Sequence, residues 1–358
     1  MDKNSERELL PDILRGFAII LVVFGHCIQE GSGAAYREEA LYFSDRLYQF
    51  IYSFHMPLFM MVSGYLNWES VKKAQSKKER RMLLARRASA LLAPVFLWTA
   101  VDYARILITN YINGEPQPEA LVFVYLYTAF NNLWFLWAVW WCFLIVYVMH
   151  YFLKDNVLIY GLGFLALFII PDGLGLGAYK YMLPYFISAY YMHGYLQDKG
   201  QELKKTPKLW TLAAAGLVFA GLFVFYNEDS FIYLTGYKVI GKNAVKQLWI
   251  DLYRMIIGFA GSCFFILLWQ YLLDCANKMN EVRHTNFSFQ ILRKLGSNSM
   301  GIYILSGYLL IFAVQKLILA DKPSYLLNLL EALAVIIVSL LMTIIMKKIP
   351  MLRKFVGK

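Results

Sequence analysis

The sequence predicts an all-α polytopic membrane protein of about ten spanning helices with both termini cytoplasmic. Three observations predict it. Hydrophobic residues make up 59% of the 358 residues and charged residues only 16%, against about 25% charged in an ordinary soluble domain. The apolar residues fall in blocks of about 20, the length that crosses roughly 30 Å of hydrocarbon. Lysine and arginine gather in alternate connections between those blocks, as expected when every second connection faces the cytoplasm.

The expected spans are 10–28, 47–67, 84–108, 132–150, 157–170, 181–196, 209–226, 251–272, 299–319 and 324–346, in a single domain over 1–358. The first holds Arg15 and His26 inside an apolar run with no small-residue cleavage pattern after it, so it reads as a retained helix rather than a signal peptide. The second contains Pro57, which removes a backbone donor and kinks a helix. The third follows a basic block from Lys77 to Arg87. After it, Asn110 to Glu119 is rich in turn formers and the apolar 121–130 is too short to cross, which suits an interfacial helix. The fifth and sixth are short, leaving a merged or re-entrant segment open. Lys72, Lys73, Lys77, Lys78, Arg80, Arg81, Lys199, Lys204, Lys205, Lys208, Lys278, Arg283, Arg293, Lys294, Lys347, Lys348, Arg353, Lys354 and Lys358 then lie inside, with Arg37, Arg46, Lys180, Lys238, Lys242, Lys246 and Lys322 outside. That imbalance puts both termini inside and requires an even number of helices.

The net charge of +11 does not point to nucleic acid, because it is divided among loops instead of collected on one face. Cys27, Cys142, Cys263 and Cys275 lie in or at the ends of apolar segments, where cysteine serves as a small hydrophobe. The chain carries no phosphate-cradling glycine loop, no zinc-spaced His/Cys cluster and no Gly-x-Ser-x-Gly elbow, so neither a metal site nor covalent serine chemistry is expected.

Arg15 and His26 stand eleven residues apart, about 1100° of helix, so they share nearly one face at about 16.5 Å along the axis. Placing both in hydrocarbon is costly unless they line a cavity, which makes them candidate functional residues. In the expected topology Arg15 suits an anion arriving from the cytoplasm, and His26, near the outer end, suits taking a proton from a hydroxyl. The bland alternative is a topology-setting arginine and an interfacial histidine. Asp12, three residues before Arg15, is placed to neutralise and orient it or to meet a ligand. Glu30, Glu39 and Asp45 are candidates to orient His26. His55, close to Pro57, either satisfies the kinked backbone or contacts a ligand. Arg86 and Arg87 lie deeper than a headgroup collar requires and suit the phosphates of a bulky ligand, the alternative being a topology signal with lipid contacts. Asn131 or Asn132 is placed to cap the fourth helix, with Trp134 and Trp137 as interfacial anchors, or the group edges an acceptor site for a sugar ring. Arg254 follows Asp251 by three residues and reads as a structural pair near the outer surface.

Asp12-Ile13-Leu14-Arg15-Gly16, the Arg15 to His26 spacing, Phe54-His55-Met56-Pro57-Leu58-Phe59, Ser63-Gly64-Tyr65 and Asn132-Leu133-Trp134-Phe135-Leu136 together resemble the integral-membrane acyltransferase-3 family. So do the Arg86 to Pro94 pattern, Leu183-Pro184-Tyr185-Phe186, and Leu295-Gly296-x-Asn298-Ser299, which extends the resemblance over nearly the whole chain. The resemblance implies a ten-helix core that moves acetyl or other short acyl groups from cytoplasmic acyl-CoA to hydroxyls of extracytoplasmic glycans or lipid-linked sugars. It implies Arg15 and His26 as the family's arginine and proton-accepting histidine, His55 as a position for acceptor binding or local architecture, and Arg86 and Arg87 as a site for CoA phosphates. Ser306 stands where relatives commonly carry a further histidine, so no third histidine is carried over, and no appended soluble domain is expected.

Residues and resemblance together point to a membrane-bound O-acyltransferase, an O-acetyltransferase by preference, in a bacterial inner membrane. Acyl-CoA, acetyl-CoA by preference, is the expected donor substrate, with no tightly bound cofactor and no metal. The expected acceptor is a surface or lipid-linked saccharide, with membrane lipids around the chain and a homodimer left open. The rivals are a transporter of a sugar or organic anion, against which stands the lack of paired broken-helix repeats, and a structural subunit of an envelope-polysaccharide assembly system.

Overall fold

Hydrocarbon offers a backbone no hydrogen-bond partner, so a chain this apolar satisfies its amides in helices. The computed structural model describes residues 9–31, 33–117, 120–172, 176–198, 207–237, 243–278, 287–310 and 323–357. Its helices are α1 (Leu9–Glu30), α2 (Ala34–Glu38), α3 (Arg46–Lys73), α4 (Lys77–Asn113), α5 (Leu121–Asn131), α6 (Trp134–Phe152), α7 (Val157–Ile169), α8 (Leu176–Asp198), α9 (Leu209–Val224), α10 (Ile232–Thr235), α11 (Ala244–Lys278), α12 (Phe287–Ser297), α13 (Ser299–Leu309) and α14 (Tyr325–Lys348). Among the described residues, α1, α4, α6, α11 and α14 are long and apolar enough to cross a membrane, while α5, α7, α9 and α13 are shorter apolar helices. The chain is an all-α polytopic membrane protein.

Several helices run past the expected spans, and their caps say why. α4 begins at Lys77, because Ser76 accepts from the Glu79 amide at 3.2 Å and the Glu79 carboxylate accepts from the Ser76 amide at 2.8 Å. It stops where Gly114 takes a left-handed φ of 68°. The 121–130 run forms the 11-residue α5. The sixth segment, short in the sequence, is part of a 23-residue helix that starts at Leu176. Lys180, expected in an outer connection, therefore lies inside α8 and is buried. Of the expected 299–319 span, the described residues cover helix to Leu309, and 311–322 lie outside them.

α1 sits at the hub, against α12, α3, α14 and α13. Small residues let it come close. A Cβ on Gly16 would strike the Leu292 backbone and one on Gly296 the Asp12 backbone, so α1 and α12 cross at main-chain contact. Gly64 of α3 meets the Phe186 backbone of α8 in the same way. α1 and α3 run antiparallel: Gly25 faces Tyr52, whereas Leu10 and Leu14 share a small cavity with Met61 and Tyr65. Phe54 stacks on Phe265 at 4.3 Å and Phe17 meets Phe265 at 5.0 Å, tying α1, α3 and α11 into one core.

Two charges are locked into the far side of this core. Lys180 donates to the Ile170 carbonyl, to Asp172 Oδ1 at 2.7 Å and to the Tyr237 carbonyl at 3.5 Å. Arg254 Nη2 donates to Asp251 Oδ1, to the Gly236 carbonyl at 2.7 Å and to Thr235 Oγ1 at 3.1 Å. The structural pair expected of Asp251 and Arg254 forms, and both members are about 1% exposed.

Candidate active site

Arg15 and Val22 of α1 border a cavity of about 130 Å³ walled by α3, α4, α6 and α13, and His26 is not among its lining residues. α3 contributes Met56, Phe59, Ser63 and Asn67, steps of three and four residues that form one stripe down the helix. Arg15, Ser63, Asn67 and Arg87 make one end polar. Val22, Met56, Phe59 and Phe135 make the other apolar. Rings continue that wall, with Phe59 to Phe135 at 5.6 Å and Phe135 to Tyr303 at 5.9 Å.

At the polar end Arg15 donates to Asp12, which is only 2% exposed. Arg87 Nη2 donates to Ser70 Oγ at 3.1 Å, and its guanidinium lies 5.9 Å from the Phe143 ring. Arg86 does not join them. One residue is about 100° of helix, so Arg86 is exposed where Arg87 is half-buried.

Farther along α1, His26 lies one turn before Gln29 and Glu30 and within electrostatic reach of Glu30 and His55. Tyr42 is within electrostatic reach of the same Glu30. Arg37 Nη1 approaches Glu30 at 4.0 Å. Tyr52 meets the His55 ring edge-on at 4.7 Å and stacks on Tyr48 at 4.0 Å.

His55 is buried, and its Nδ1–H donates to the Ile51 carbonyl at 2.7 Å. The carbonyl that Pro57 leaves without its helical donor is that of Ser53, so His55 does not repair the kink. In the neutral ring this bond makes Nε2 an acceptor.

Other expected site residues stand apart. Asp45 Oδ1 caps α3 by accepting from the Tyr48 amide at 2.9 Å, while Oδ2 accepts from Tyr36 at 2.9 Å and from Tyr325. Burial and the Asp45 carboxylate push the Tyr36 phenol well above its usual range, so it remains a neutral donor. Asn132 does not cap α6, which starts after Leu133 at a left-handed φ of 48°. Its amide donates to Thr99 Oγ1 at 3.2 Å and to the Tyr308 hydroxyl at 3.1 Å, and Tyr308 donates to Asp102 at 2.8 Å, binding α4 to α13. Trp134 lies between Phe135 at 5.9 Å and Tyr233 at 6.2 Å. Among the described residues no three His, Cys, Asp or Glu side chains gather in a metal-binding group.

Sequence reasoning passed over Asn67, Tyr303 and Gln29. The signal for Asn67 was the 56-59-63-67 stripe, and for Gln29 its position three residues after His26.

The chain is 23% identical over 311 residues to nodulation protein NolL of Sinorhizobium fredii, an alignment covering 85% of this chain and 78% of that protein. It is 26% identical over 184 residues to nodulation protein NolL of Mesorhizobium japonicum, covering 51% of this chain and 47% of that one. No solved structure matches the chain. Residues 10–348 match the family described as "Acyltransferase domain", and the chain belongs to that acyltransferase-3 family.

Proposed function

We propose that the protein is a bacterial inner-membrane O-acetyltransferase that moves an acetyl or other short acyl group from cytoplasmic acyl-CoA to a hydroxyl of an extracytoplasmic saccharide or lipid-linked glycan. The observation that carries this reading is the graded cavity, cationic at Arg15 and Arg87 and apolar at Met56, Phe59 and Phe135. A CoA thioester has the same gradient, phosphates at one end and a thin uncharged arm at the other. Arg15 and Arg87 hold the phosphates through charge-assisted bonds. The arm follows the aromatic wall towards His26, about 16.5 Å along α1 from Arg15.

There the acceptor oxygen bonds to the thioester carbonyl carbon as the carbon–sulfur bond breaks. His26 takes the hydroxyl proton and returns it to the departing thiolate, so no acyl-enzyme is needed. Gln29 and Glu30, three and four residues farther along α1, are placed to orient the imidazole. The cytoplasmic side is the end of α3 and α4 that carries Lys72, Lys73, Lys77 and Lys78, which puts Arg15 inward and His26 outward, with about ten crossings and both termini inside.

Purified protein given labelled acetyl-CoA and a saccharide acceptor is expected to transfer the label. A folded His26→Ala variant is expected to bind acetyl-CoA and to transfer about 1000-fold more slowly. Undiminished transfer by that variant, or sugar flux without transfer by the wild type, overturns the reading.

A further inference from the structure

We infer that Asn67 is a donor-binding residue whose Oδ1 accepts the N–H of the pantetheine amide nearer the CoA phosphates, an inference that rests on the acyl-CoA reading above and deepens it. Asn67 is 3% exposed and lines the cavity with Arg15 and Arg87. Its Nδ2 donates to the Ser63 carbonyl at 2.7 Å. That carbonyl can only accept, which decides how the amide is turned, because a flipped side chain would set two oxygens against each other. Oδ1 is thereby left buried with no hydrogen-bond partner.

A buried acceptor without a donor is a costly and uncommon arrangement, and it invites a ligand that supplies the donor. Neither neighbouring cation serves it: Arg87 turns Nη2 to Ser70, and Arg15 turns to Asp12. A bare phosphate or carboxylate would bring oxygen against oxygen. The ligand group that belongs here is an N–H.

Position selects which one. Asn67 lies three residues, about 4.5 Å, from Ser70 in the direction of Ser63, Phe59 and Met56. It is past the level at which Arg87 meets the phosphates and ahead of the apolar walls. An arm threading from cation to histidine reaches that level with its first amide, and its second amide falls nearer the sulfur.

The test titrates the full-length wild type in lipid nanodiscs with acetyl-CoA and with an analogue in which the phosphate-side amide N–H is replaced by an ester oxygen. The wild type is expected to bind the ester about ten-fold more weakly, and Asn67→Ala to bind the two donors within about two-fold of each other. Equal binding of both donors by the wild type overturns the inference, and this measurement does not depend on any variant folding. A ten-fold preference that persists in folded Asn67→Ala overturns it as well. Failure of the wild type to bind either donor is a separate result, which removes the acyl-CoA reading itself.

Discussion

Lys180 and Arg254 are buried as deeply as the aromatic core around them, and the protein itself supplies their partners. Lys180 places three donors on Ile170, Asp172 and Tyr237, a full set for an ammonium, and Arg254 is held by Asp251, Gly236 and Thr235 through Nη2, with its Nε and Nη1 buried unbonded. Arg15 and Arg87 have partners too, Asp12 and Ser70, yet both also face open space. Depth of burial therefore does not separate a structural cation from a candidate binding one. The open space that Arg15 and Arg87 face does.

The contrast can be broken most sharply at Arg254. Arg254→Met leaves Asp251 buried without its cation and is expected to lower stability by about 3 kcal/mol, read as thermal unfolding in detergent. An unchanged melting curve would mean that the pair is no brace. At the cavity the expectation reverses. Arg87→Met should weaken acetyl-CoA binding about 10- to 100-fold while stability stays within about 1 kcal/mol of the wild type, because within the protein it loses a single hydrogen bond to Ser70. Stability loss with intact donor binding would place Arg87 in the same class as Arg254. Arg86→Met sharpens the comparison at its weakest end: exposed on the other side of the same turn, it should shift donor binding by less than about two-fold.

These contrasts were only partly legible in the sequence. Spacing along one helix reports a shared face, so Arg15 with His26, Asp12 with Arg15, and the 56-59-63-67 stripe could all be read from residue numbers. Ser76 with Glu79 is a readable capping box, and it moves the start of α4 seven residues earlier than hydropathy alone placed it. What spacing cannot report is how one helix is rotated against the next. Arg86 and Arg87 are equivalent in sequence and divide only when α3 and α6 pack against α4. Asn132 and Asp45 likewise found partners, Tyr308 and Tyr325, that lie 176 and 280 residues away. No local pattern announces such contacts.

The place of α1 at the hub also bears on how the chain is made. This helix is translated well before α12, α13 and α14, which cover much of it. At about 5–20 residues per second the interval is on the order of tens of seconds. Throughout it a guanidinium sits in a segment bound for lipid with its later neighbours still unsynthesised. Because Asp12 answers Arg15 within a single turn, that charge is compensated as soon as the helix winds, before any other segment arrives. The local pair thus lets the nascent segment enter the bilayer alone, and the rest of the bundle is assembled around a charge already made tolerable.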